Sequence, residues 1–131
     1  MIKTMKEHKM IRFFYIMAFL LTFTMFSSAD ARIKVVGNGE QMNFDLESIP
    51  PNFKASYDIM NQVCTNCHSM KKIVIAVQTG KGPDTKQTFD KQAVKAYCIK
   101  MLRKKGSVLM TKSDIKNVYQ LLNYLLDENA R

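Results

Sequence analysis

Histidine is the scarcest reactive residue in this chain of 131 amino acids, occurring only as His8 and His68. Cysteine occurs three times, proline three times and tryptophan not at all. Each shortage narrows the reading. Three cysteines cannot all pair with one another, so at least one is left over. The longest apolar stretch, residues 13–26, falls short of the roughly 20 residues that a membrane-spanning helix needs. The glycines at 80 and 82 have no following Lys-Ser/Thr pair, which makes a phosphate cradle a poor reading. There is no internal repeat and no low-complexity tract. Acidic residues are also in deficit, 11 against 20 basic ones.

What is present begins with a leader. Lys3, Lys6, Lys9 and Arg12 precede the apolar run, and Ser27-Ser28-Ala29-Asp30-Ala31 follows it, with Ala29 and Ala31 at A-x-A spacing. Basic, apolar, then small is the order of a secretory signal peptide, expected over residues 1–31. No cysteine lies near the cleavage site, which argues against a lipid anchor. The expected compartment is the periplasm, with at most peripheral membrane contact; the alternative is an uncleaved leader that anchors the chain. Cleavage would remove His8 and leave 16 basic against 9 acidic residues, a net charge near +7. About 100 residues would remain, a size at which a domain often needs a staple or a cofactor.

The chain is organised around Cys64-Thr65-Asn66-Cys67-His68. Two thiols three residues apart lie along one side of a helical turn, spaced to add to the two vinyl groups of a porphyrin. A histidine directly after the second thiol can ligate the iron beneath the ring. The competing reading, a redox disulfide, expects a βαβ setting around the CxxC. Here nearly everything after residue 50 reads as helix. The expectation is one covalently attached haem c, held by Cys64, Cys67 and His68, with Cys98 as the thiol left over.

Residues 32–51 are expected to be an arm and linker, folded as a hairpin around Asn38-Gly39 or simply extended, with Pro50-Pro51 closing it. A domain of helices should occupy 52–131. The first helix, 52–67, carries Phe53, Tyr57, Met60 and Cys64 at spacings of four, three and four. The apolar run at 72–78 fits either strand or helix. A second helix, 89–105, is expected with Thr88 as N-cap and Gly106 as its stop. Its apolar face runs Phe89, Ala93, Val94, Tyr97, Cys98, Met101 and Leu102. A third, 112–129, is expected with a capping box from Thr111 and Asp114 and with Met110 and Ile115 as staple. Its buried stripe is Ile115, Val118, Leu122 and Leu125.

With His8 gone, a second histidine ligand is excluded, so the sixth iron position falls to a methionine or stays open. Met70 is too near His68 to reach the far side of a ring. Met101 and Met110 remain, although Met110 is already explained as a staple.

This pattern resembles the class I c-type cytochromes, in which a helix ends in CxxCH and a C-terminal helix crosses it. Residues 94–125 further resemble the small cytochrome domains that accompany periplasmic oxidoreductases. There Cys98 stands at the usual valine and Met101 at the ligand methionine, followed by Gly106, Thr111, Asp114 and Tyr124-Leu125. Val94 replaces the usual tryptophan, and the stretch from Gly106 to the cap is longer, which keeps Met110 in play.

The resemblance implies an all-α fold wrapped around the haem, His68 and Met101 as metal ligands, and a Pro83 carbonyl that accepts from the His68 ring. The function it implies is single-electron transport rather than enzymatic catalysis. Lys71, Lys72, Lys100, Arg103, Lys104 and Lys105 would form a basic rim that steers an acidic redox partner. Nucleic acid is a poor candidate partner, and a monomer is expected. The alternatives are a haem ligand sensor or small haem enzyme with an open sixth site, or the electron-accepting subunit of a periplasmic dehydrogenase.

Overall fold

In the computed structural model, residues 33–104 and 110–131 are described, all within the unit Arg32–Arg131. The expected leader and Gly106 lie outside them. Among the described residues there are four α-helices and one two-stranded sheet. None of these helices is long and apolar enough to cross a membrane.

The N-terminal stretch is a hairpin. Strand β1 (Val35–Val36) pairs antiparallel with β2 (Asn43–Phe44), with Val35 opposite Phe44 and Val36 opposite Asn43. Asn38-Gly39 does not form a tight two-residue turn. The connection runs through a 3-10 turn at Gly39–Gln41, and Gly37 has φ +78°. A Cβ on Gly37 would collide with the Gln41 carbonyl, so only glycine closes the loop this way. Phe44 and Ile49 are buried in the core, and Tyr57 donates a hydrogen bond to Asn43 Oδ1 at 2.5 Å. The expected arm is therefore packed onto the helices.

Helix α1 (Pro51–Val63) starts on the second proline rather than after it. The first helical position has no use for its N–H, and proline's fixed φ suits the helix. Its expected stripe is present, with Tyr57 and Met60 buried, and Ser56 is buried beside them. Helix α2 (Met70–Thr79) settles the ambiguous run as helix, burying Met70, Val74, Ala76 and Val77.

The end of α2 is closed by a left-handed residue and by side-chain bonds. Gly80 takes the left-handed conformation at φ +62°, Thr79 Oγ1 donates to Ile75 O, and the Asn129 amide donates to both Val77 O and Gln78 O at 3.1 Å. Two of the carbonyls left without partners by the helix geometry, those of Val77 and Gln78, are thus satisfied.

Helix α3 (Lys91–Arg103) is capped by Asp90, which accepts from Ala93 N–H at 2.8 Å, and not by Thr88. Thr88 instead bridges Lys81 across the loop. The inner face holds Val94 and Cys98, with Met101 half-buried, whereas Leu102, expected inside, is 37% exposed.

Helix α4 (Lys112–Asn129) has the expected bounds and the expected capping box. Thr111 Oγ1 accepts from Asp114 N–H at 3.1 Å, and Asp114 Oδ2 accepts from Thr111 N–H at 2.9 Å. These bonds hold the Asp114 carboxyl below its usual range. Met110 is half-buried against the core.

Helices α1, α2 and α3 all pack on α4, making it the central element. Leu121, Leu125 and Val118 on α4 meet Met60, Val74 and Val94 in a core that excludes solvent. Each such side chain contributes about 1.5–3 kcal/mol of burial.

Candidate functional site

The CxxCH stretch does not continue α1. After Val63 the chain tightens into a 3-10 turn over Cys64–Asn66. Cys67 closes that turn as its C-cap, outside the 3-10 geometry, at φ −124°. The Cys64 carbonyl accepts from both Cys67 N–H at 3.2 Å and His68 N–H at 2.9 Å, which fixes the turn. Thr65 Oγ1 donates back to the Asn61 carbonyl.

The two thiols differ sharply in environment. Cys64 is 6% exposed and points into the core, while Cys67 and His68 are exposed at the rim. Burial, followed by the neighbouring Cys67, pushes the Cys64 thiol up to about 11. Cys98 on α3 is 3% exposed, and burial, followed by the charge Cys64 would carry, pushes it up to about 11 as well. Cys64 and Cys98 belong to the same buried core cluster, which the inner face of α3 joins. Met101, three residues beyond Cys98 on that face, packs against the same cluster.

One corner of the fold thus combines two thiols and an imidazole on a fixed turn with a thioether on a neighbouring helix. Cys64 and Cys67 suit covalent attachment of an organic group, and His68 and Met101 are ligands for a soft or borderline metal. The donor set fits a haem c. The Pro83 carbonyl accepts no hydrogen bond from the His68 ring in this structure. The loop that carries it is closed on itself, with Gly82 N–H donating to Gln87 O at 2.8 Å and Lys86 N–H to Gly82 O at 2.9 Å.

The basic residues near this corner fall into two groups. Lys71 pairs with Glu40 at 2.6 Å and Lys72 with Asp84 at 2.7 Å, so the two lysines that follow the motif have carboxylate partners. On the outer side of α3, Lys95, Lys100 and Arg103 are exposed, and among the described residues no carboxylate pairs with them. They flank Ile99 and Leu102, which are 43% and 37% exposed. Lys105 lies outside the described residues.

Sequence reasoning anticipated the burial of Cys98 but not its approach to Cys64. The available signal was its place one turn before Met101 on the inner face of α3. Comparisons with family models, with curated proteins and with solved structures find no match for this chain.

Proposed function

We propose that the chain is an exported, single-haem c-type cytochrome that carries single electrons between protein partners. The observation that carries this reading is the corner itself. Cys64, Cys67 and His68 share one hydrogen-bonded turn, and Met101 on α3 packs against the core cluster that contains Cys64 and Cys98. When bound, a haem supplies a reversible one-electron iron couple. Cys64 and Cys67 would anchor it through thioether bonds, and His68 and Met101 would hold the iron.

The buried, protonated state of Cys64 bears on the order of assembly. A thiol held up to about 11 inside a packed core is a poor nucleophile, whereas Cys67 is open to solvent. Attachment therefore belongs before the core closes over Cys64. Docking would use the acid-free outer face of α3, where Lys95, Lys100 and Arg103 attract an acidic partner and speed encounter. Such encounters are brief and small in area. The periplasm is the compartment proposed, from the leader.

The test is the optical spectrum of the oxidised holoprotein with Met101→Ala and Met110→Ala measured separately. A low-spin spectrum with the weak long-wavelength band of Met–iron ligation, lost only in Met101→Ala, is expected. Loss only in Met110→Ala would move the ligand to the loop before α4. A high-spin spectrum in the unmutated protein that shifts on adding CO or cyanide would sink the carrier reading.

A further inference from the structure

At the other end of α1 from the CxxCH turn, α1 and α4 leave a cleft of about 640 Å³ between them. Ser56 lies eight residues before Cys64, about 12 Å along a helix axis, so this cleft is separate from the haem corner. Its hydrogen-bonding groups are uncharged: Asn52, Ser56, Asn117, Gln120 and Asn123. Among the described residues, none of these five side chains bonds to another part of the protein.

Two of them sit deep. Ser56 is only 8% exposed, and Asn123 Oδ1 is buried with no donor. Buried polar groups are ordinarily satisfied, so an unpaired one calls for an explanation.

The remaining lining narrows the ligand class. Asp127 supplies the only formal charge, and it already pairs with Lys91 at 2.6 Å, so the cleft offers no net charge for an ion to match. Phe53 and Tyr124 stack at 4.8 Å and form an apolar wall. An apolar ligand would cover the carboxamides and the Ser56 hydroxyl of the lining without bonding to them. Carboxamides and a hydroxyl both donate and accept, which is the complement of a molecule dense in hydroxyls, and the aromatic wall suits the C–H face of a pyranose ring.

We propose that the cleft between α1 and α4 binds a neutral saccharide through Ser56, Asn117, Gln120 and Asn123. This assignment stands on the cleft alone and is independent of the haem. The test is titration of the isotope-labelled, purified full chain with maltose and with N,N′-diacetylchitobiose, followed by amide correlation spectra. Saturable shifts are expected in residues 52–56 and 117–127, with a Kd of order 1 mM for a shallow polar site. Gln120→Ala and Asn117→Ala, which remove no bond inside the protein, should each weaken binding about tenfold, the cost of one lost hydrogen-bonding pair. No saturable shift with either saccharide, or shifts of full strength in both variants, overturns the assignment and leaves solvent as the partner of these groups.

Discussion

The N-terminus of α4 and the CxxCH corner are built on opposite principles. At the start of α4, Thr111 and Asp114 satisfy each other, and the helix then runs unbroken to Asn129 with its apolar stripe inward. At the corner, α1 gives way to a 3-10 turn, and Ser69, the N-cap of α2, makes no side-chain capping bond. A buried thiol sits beside an exposed thiol and an exposed imidazole. The first region spends its polar residues on folding. The second leaves reactive ones uncommitted, in keeping with the site proposed for a bound group.

That contrast can be broken at several points. The largest effect should come from the centre of α4, where Leu125→Ala removes a fully buried side chain that α1, α2 and α3 close around. It should cost about 2–5 kcal/mol, read as a lower urea midpoint. A comparably small loss would mean that α4 is not the common support.

The buried thiols give a pH signature. Both are raised from an ordinary value near 9 to about 11 in the folded chain, so the native state holds protons that the unfolded chain releases. Haem-free protein is expected to keep its full stability below about pH 9 and to lose it as pH climbs towards 11. With Cys64 consumed in a thioether, only Cys98 remains to titrate, and the alkaline loss should shrink. An equal loss in the haem-loaded protein would argue against attachment at Cys64. At the small end, Thr111→Ala should cost about 1 kcal/mol and Ser69→Ala almost nothing, because only the first makes a capping bond. Equal losses in thermal melts would erase the difference between the two regions.

The elements most legible in the sequence were those governed by local chemistry. Thr111 and Asp114 announced α4 because a capping box satisfies itself within four residues. The stripe of Phe53, Tyr57, Met60 and Cys64 announced α1 by its period. Harder positions were decided by distant partners. Thr88 lost the capping role to Asp90 once its own backbone was drawn into a bridge with Lys81. Leu102 reads as core by spacing, yet it falls where no neighbouring helix covers it. The basic rim was also only half visible, because pairing of Lys71 with Glu40 spans 31 residues and follows from the hairpin folding back. At the candidate site the residue types and spacing were all readable in advance. The inward turn of Cys64 towards Cys98 was not, since it depends on how α3 packs.

The Asn129 amide that closes the last carbonyls of α2 has a dynamic consequence. Those carbonyls lose their partners whenever the end of α4 frays, although 52 residues separate Val77 from Asn129. The two helix ends should therefore open as one cooperative unit. Proteolytic trimming that removes Asn129 would loosen the final turn of α2, a segment that the protease never touches.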